Sequence, residues 1–433
     1  MSFNLGRERP AKGLLIMHNE NDKFRSESIV VRLITPLDEK TSQRLVALNM
    51  LMGESNSLYP DKQQFSRRLT GLYGAIFNRF CYTSGDCLVS GFSIISIADR
   101  FAKGEQVTSE LAKILLCSIF EPDIGDGRFN EVYFENIRHD VISKIKSLKA
   151  NRHSYAVKRA AEVAFEGEPA AVNLLGTIED AEALTNEQLV ESYHKLMDTA
   201  FVSISFCGGG TNKEAQKLVT ERFTEFCNSR DYTGIEYEKT ASPSAPKAEP
   251  RYVTEQLEQS QSKLVMIFKS DCKNEFALKM GVMLYGGTAF SKLFMNVREK
   301  MSLCYYCQAS IMGTKGGVMV DSGVGHGNEE KARNEILRQL ELLKQGDFTD
   351  EELEDAKRSY TGSLRSVYDF ADDLNAWFFR RFEQGDMLTP NDAAELANAV
   401  TREEVMEALS TMKLDTVYVC EPTETAEEGE NAE

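Results

Sequence analysis

The sequence predicts an α+β protein made of duplicated domains, each an antiparallel sheet with helices packed on it. Three observations lead there. Strand-like stretches come as hairpins followed by runs of helix, rather than in strict strand-helix-strand alternation. The order helix, helix, hairpin, long helices, short helix and strand occurs twice at a period of about 220 residues, which marks a duplicated domain and not a solenoid. Between the copies lies Thr240 to Pro250, TASPSAPKAEP, a Pro-, Ala- and Ser-rich stretch that reads as a linker. At 433 residues the chain is too long for one ordinary core and suits two domains of roughly 200 residues each. The expected division is residues 1–239, a linker at 240–250, residues 251–422 and a disordered acidic tail at 423–433.

In the first copy, Gly13 to Met17 and Ser26 to Ile34 read as strands, the second with the β-branched enrichment of a buried one. Helices are expected at about Thr41 to Gly53 and Lys62 to Leu72. A hairpin follows, Ala75 to Tyr82 and Cys87 to Ile95, turning through Thr83-Ser84-Gly85-Asp86. Helical patterns run from about Glu105 to Ala164, broken at 122–128, and the copy closes with a helix at Glu187 to Met197 and a strand at Ala200 to Cys207. The second copy repeats this: a strand at Lys263 to Phe268, helices at Glu275 to Leu284 and Ala289 to Lys300, and a hairpin across Gly313 to Gly317. Helices at Glu329 to Lys344 and Glu351 to Val367 come next, the latter behind a capping box of Thr349 and Glu352. Thr401 to Val405 with the strand Thr416 to Cys420 parallels Thr185 to Leu189 with Phe201 to Cys207, an offset of about 216 residues.

The most informative stretch is Gly286 to Ala309, GGTAFSKLFMNVREKMSLCYYCQA. Phe290, Leu293, Phe294 and Val297 make a helical apolar stripe opened by Gly286-Gly287. From Leu303 the period becomes two, placing Leu303, Tyr305, Cys307 and Ala309 on one face of a strand and Cys304, Tyr306 and Gln308 on the other. Arg298 thus falls in the last helical turn and Tyr305 at the start of the strand. Taken singly these positions are ordinary, since a helix dipole favours Arg there and strand tyrosines commonly pack. Together they resemble the Arg/Tyr motif in the C-terminal half of M16 (pitrilysin-type) zinc peptidases. Gly286, Gly287, Ser291, Leu293, Phe294, Val297, Arg298, Glu299, Lys300, Leu303 and Tyr305 all match, including the seven-residue step from arginine to tyrosine. The resemblance implies paired domains of the LuxS/metallohydrolase-like fold. It also implies that Tyr305 donates to the scissile carbonyl as its oxyanion develops and that Arg298 holds the substrate backbone. A phenol is a neutral donor at pH 7 and a guanidinium a fixed fork of donors, as those tasks require.

The other half of such a site is missing. Catalytic relatives carry H-x-x-E-H on a first-domain helix, two histidines holding zinc and a glutamate polarising its water. Counting back from Tyr59-Pro60, that place holds Val46-Ala47-Leu48-Asn49-Met50, and the distant third ligand would fall near Ile142. No two of His18, His139, His153, His194 and His326 lie three to five residues apart with a glutamate between them. Where catalytic relatives bind the substrate backbone through Asn-Ala, this chain has Phe80-Cys81. No metal or cofactor is therefore expected in the chain itself. The reading is a non-catalytic, substrate-binding subunit of a heterodimeric M16 zinc peptidase, with Arg298 and Tyr305 as its site residues and zinc on the partner subunit. A peptide is the substrate. The alternatives are a degenerate paralogue that only binds peptides or scaffolds, and an independent enzyme using Cys304 or Cys307 as nucleophile, for which no paired histidine is evident.

Composition agrees with such a role. An apolar content of 42% with 27% charged residues is that of an ordinary soluble globular chain. A net charge of −17 argues against a nucleic-acid surface, and no apolar run approaches the ~20 residues of a membrane span. The charged N-terminus, MSFNLGRERPAKG, is unlike a signal peptide, so a cytoplasmic location is expected. Nine scattered cysteines read as reduced core thiols. Cys304 and Cys307, formally a CxxC, should point to opposite faces of their strand and so be unable to share a metal or a disulfide.

Overall fold

A computed structural model describes residues 4–21, 23–209, 212–237 and 243–423; the acidic tail read at 423–433 lies, but for its first residue, outside them. The chain divides into two compact units, Met1–Lys146 with Val172–Thr240 and Val367–Met387, and Ser147–Ala171 with Ala241–Ser366 and Leu388–Glu433.

The first unit holds β1 (Asn4–Glu8), β2 (Leu14–Glu20), β3 (Ser26–Pro36), β4 (Ile76–Ser84), β5 (Cys87–Ile97) and β6 (Phe201–Gly208), in the order β1-β2-β6-β3-β5-β4. The second holds β7 (Arg251–Leu257), β8 (Ser262–Lys269), β9 (Cys304–Met312), β10 (Gly317–Val324) and β11 (Lys413–Pro422), in the order β9-β10-β8-β11-β7. Without β1, the two sheets have the same topology. The opening strand of each lies parallel to the closing strand, β2 to β6 and β7 to β11, and every other pairing is antiparallel. The duplication read from the order of elements is thus a duplication of strand order. Each otherwise antiparallel sheet carries one parallel pair.

Both sheets are covered on two faces, which explains why β3 reads as a continuous apolar run and not an alternating one. On one face of the first sheet Leu33, Phe92 and Ile204 join Leu48, Leu115, Leu189 and Val219 of the helices Ser42–Met52, Val107–Phe120, Asn186–Thr199 and Lys213–Ser229. On the other, Leu15, Ile34 and Phe201 meet Phe379 and Phe382 of the helix Ala371–Gln384. In the second unit the helix Arg152–Ala164 lays Ala156, Ala160 and Ala164 on Val265, Ile267 and Tyr418. The three alanines make a smooth face that lets helix and sheet approach closely. Arg159 and Tyr155 of that helix anchor it through Glu255 of β7, with Arg159 Nη2 at 2.9 Å and the Tyr155 hydroxyl at 3.1 Å. Residues 243–250, part of the linker read from composition, are tied within the second unit: Lys247 Nζ lies 2.9 Å from buried Asp415, and Ser244 N donates to the Lys315 carbonyl at 3.0 Å.

The hairpin at Ser84 and Cys87 turns through Gly85 at φ +57°, a left-handed position that glycine occupies without strain. The equivalent closing helices of the two units start with the same device. Thr185 Oγ1 accepts from Gln188 N at 3.3 Å while Gln188 Oε1 accepts from Thr185 N at 3.1 Å; at Thr401 and Glu404 the distances are 3.2 and 2.8 Å. Because each hydroxyl satisfies an otherwise orphaned helical N–H, Thr185→Ala and Thr401→Ala should each cost about 1 kcal/mol. Urea titrations followed by circular dichroism measure this. Should the units unfold separately, each substitution shifts only the transition of its own unit.

Candidate functional site

The helix Ser42–Met52, where catalytic relatives would carry zinc ligands, is built into the core. Val46, Ala47, Leu48 and Met50 are buried among apolar neighbours, and Asn49 spends its amide on the Gly91 carbonyl at 3.1 Å. At the end of this helix the cations are side chains. Arg79 of β4 reaches the Met50 carbonyl and lies 2.7 Å from Glu54 Oε1, and Lys62 pairs with the same carboxylate. Burial alone would raise the Glu54 pKa, but hydrogen bonds from Lys62 and Arg79 outweigh it and hold the carboxyl below its usual range. Ile142, near the expected place of the third ligand, is packed against the same core. These residues do not fit a zinc ion, and among the described residues no three or more His, Cys, Asp or Glu are grouped to hold a metal.

Arg298 and Tyr305 occupy a different kind of surface. The chain leaves the helix Glu275–Val282 through a π-helical turn, Met283–Gly287, and forms a second π-helix at Leu293–Lys300, where the stripe predicted an α-helix. The first of these turns packs closely on β9: a Cβ on Gly286 would lie 2.6 Å from the Ala309 amide nitrogen, so only glycine fits. Leu293 and Val297 are the buried positions, while Phe290 precedes the helix and is exposed. On this helix the Arg298 guanidinium sits 4.7 Å from the Phe294 ring centre, four residues earlier, with Glu299 at 3.6 Å. Ser302, at φ +51°, then swings the chain into β9.

At the start of β9 the strict alternation expected from the sequence fails. Cys304 pairs with Val324 and Tyr306 with Gly323, so Tyr305 is the extra residue of a β-bulge. Its side chain is 63% exposed and makes no hydrogen bond within the described residues. The bulge also overturns the expectation that Cys304 and Cys307 face apart. Cys307 pairs with Ser322, one same-face rung from Val324, and both cysteines are buried on that face. Tyr306 turns to the other face and donates to buried Asp321 at 3.2 Å; His153 of the helix Arg152–Ala164 contacts the same carboxylate, and Gln308 lies 3.4 Å from it. Burial first, then this carboxylate, pushes the Tyr306 phenol pKa up. The cluster of His153, Tyr306 and Asp321 was not found from sequence, where its members lie far apart and no spacing joins them.

Residues 183–360 match the family model described as "Peptidase M16 inactive domain". Over 414 residues, 94% of this chain and 95% of the relative, the sequence is 25% identical to "Probable inactive metalloprotease YmfF" of Bacillus subtilis. The chain is thus an inactive M16-like metalloprotease homologue. Among solved structures, a conserved protein from Enterococcus faecalis superimposes with a TM-score of 0.87 at 25% identity, covering 97% of this chain and 99% of that one. A peptidase M16 inactive domain from Pseudomonas fluorescens gives 0.76 at 18% identity, covering 97% and 98%. The latter likeness is one of fold. Within this M16 homologue the helix that would carry zinc ligands has become packing, and its terminal carboxylate is neutralised by Arg79 and Lys62.

Glu54→Gln should expose that exchange. The folded-state carboxyl pKa lies below the unfolded one, so its contribution is complete above the unfolded value and is lost as pH falls through the folded value. Removing the charge leaves the Arg79 and Lys62 cations without their counter-ion and weakens their hydrogen bonds to it, at a cost of about 1–3 kcal/mol near neutrality. Urea titrations at pH 7 and in the carboxylate range check this: the gap between wild type and Glu54→Gln should be widest at pH 7 and shrink on acidification.

Proposed function

We propose that this chain is the non-catalytic, substrate-binding subunit of a heterodimeric M16 zinc peptidase of the bacterial cytoplasm. In this reading it lends Arg298 and Tyr305 to a peptide-processing site whose zinc is held by the partner subunit. One observation carries it: Tyr305 stands on a bulge with its hydroxyl unengaged, inside a short segment that also exposes Phe290, Met295 and Met301. A monomer gains nothing by leaving such side chains in water, whereas a subunit that must present a donor to another chain's substrate needs that donor free and an apolar fringe to bury. Arg298 is half-exposed and anchored by Phe294, so its guanidinium is held in place while part of it remains accessible.

A second reading, a scaffold or peptide-binding homologue with the pair as relics, draws on the same anchoring. Arg298 already has partners in Phe294 and Glu299 and could serve only the fold.

Reconstitution with a zinc-bearing M16 subunit separates the two. The chain alone should hold no stoichiometric zinc by elemental analysis and cleave no peptide. In the complex, Tyr305→Phe should lower kcat by about 100- to 1000-fold at unchanged stoichiometry, the usual cost of losing one oxyanion donor. Arg298→Ala should raise KM as well as slow turnover, because it removes binding common to ground and transition states. Tyr306→Phe should instead lower stability by about 1 kcal/mol, through the lost bond to Asp321, with little effect on kcat. One tightly bound zinc per isolated chain, or wild-type turnover by Tyr305→Phe in an intact complex, would defeat the proposal.

A further inference from the structure

The bulge that exposes Tyr305 has a second effect, on the thiols that flank it. In a regular strand Cys304 and Cys307 would project to opposite faces; here the extra residue restores them to one face, on the neighbouring rungs of Val324 and Ser322. Two rungs are spaced by about 6.6 Å along a strand, at the upper end of the Cα separations that a disulfide spans. Both residues are buried, at 8% and 4% exposure, but Cys304 is next to the exposed pair Met301 and Tyr305 and lies within reach of the Arg298 charge. No other two cysteines of the chain are so close in sequence.

We propose that Cys304 and Cys307 form a reversible dithiol/disulfide site, oxidised by small peroxides, whose closure resets the bulge that carries Tyr305. The thiols are unequal in the way the reaction needs. A hydrogen bond from Cys307, aided by Ser322 and the charge of Arg298, lowers the Cys304 pKa against the effect of burial. The same hydrogen bond, with burial, raises that of Cys307. Cys304 is therefore the nucleophile. Its thiolate attacks one peroxide oxygen, the S–O bond forms as the O–O bond breaks, and the departing hydroxide leaves as water. Cys307 then gives up its proton and attacks the sulfenic sulfur; the S–S bond forms, the S–O bond breaks, and a second water leaves. Two thiols are oxidised by two electrons while one peroxide is reduced to two waters. Because the rungs sit at the limit of disulfide reach, the bond draws the ends of the bulge together. The resulting strain makes the disulfide readily reducible, as a switch requires and a structural bridge does not.

Trypsin releases both cysteines on one peptide, Met301 to Lys315, which makes the test direct. The full-length chain is treated with hydrogen peroxide, alkylated with iodoacetamide under denaturing conditions and mapped by mass spectrometry. The expected peptide is lighter by two hydrogen atoms and unalkylated, and it recovers two alkyl groups after dithiothreitol. Cys307→Ser should trap the sulfenic acid on Cys304, visible with a dimedone probe, whereas Cys304→Ser should leave Cys307 unreacted. Hydrogen exchange of the native oxidised chain should change across 303–308 and remain unchanged in the first unit. Two alkylated thiols in the peroxide-treated wild type, or sulfinate on Cys304 with Cys307 still free, would overturn the proposal. All three readouts use the chain alone and are independent of whether a zinc-bearing partner exists.

Discussion

The constraint on which each unit depends is the pairing of its first strand with its last. β2 lies parallel to β6 and β7 to β11, although each pair is separated by most of a unit's chain. A parallel pair needs a long crossover, and here everything between the two strands serves as one. The closing strands sit centrally, each flanked by two neighbours, so neither sheet is continuous until its last strand is in place. Such non-local contacts repay loop-closure entropy late. The units also draw segments from both sides of 240–250: the first includes Val367–Met387 and the second Ser147–Ala171. The packed units therefore do not follow the linear order of the chain. Arg32 of β3 shows what the borrowed helix supplies in the first unit. Its buried guanidinium stacks at 4.0 Å from the Phe379 ring and donates to Ser205 at 2.9 Å.

Much of this was legible in the sequence because most elements obey one period and carry their own punctuation. The helices Ser42–Met52, Lys62–Gly71, Glu329–Lys344 and Asp350–Ser366 fall within a few residues of their expected ends, and the Thr349–Glu352 capping box forms as read, with bonds of 2.7 and 3.1 Å. The hairpins at Gly85 and at 313–317 were announced by glycines. What escaped was set by tertiary context. β1 and β7 are short edge strands whose identity comes from the neighbour they join. The helix Ala371–Gln384 hides its period because it buries Asn375 and Glu383 beside Phe378 and Phe379, so polar and apolar residues share its inner face. Burial raises the Glu383 pKa, and Ser84 and Tyr237 hydrogen-bond the carboxylate in place of water.

The candidate site divides along the same line. Residue types and spacing suffice to propose Arg298 and Tyr305 as the site, and to notice that Val46 to Met50 offer no His, Cys, Asp or Glu to a metal. The backbone carrying the pair was not readable. A π-helix draws on the same residues as an α-helix and differs in which carbonyl each N–H selects, so the apolar stripe does not distinguish them. A bulge likewise leaves no mark on a run such as Cys-Tyr-Tyr-Cys. Strict alternation assigned Tyr305 and Cys307 to one face and Cys304 to the other, and one inserted residue was enough to reverse that relation.

That single insertion links what are otherwise separate properties of the segment. It frees the Tyr305 hydroxyl, directs Tyr306 into a buried hydrogen bond with Asp321, and brings two thiols onto one face. A regular strand would satisfy more backbone groups and pack with less irregularity, so the bulge needs a compensating source of stability. The contacts of Tyr306 supply one: its hydroxyl meets Asp321 and its ring lies edge-on to His153 at 5.6 Å, which fixes the residue next to the bulge from two sides. Tyr305 can then project into solvent at little cost in order, because its neighbours rather than its own side chain hold it in place. Rigid support beneath, an unengaged hydroxyl above and an exposed apolar border are what the proposed donor role requires of this segment.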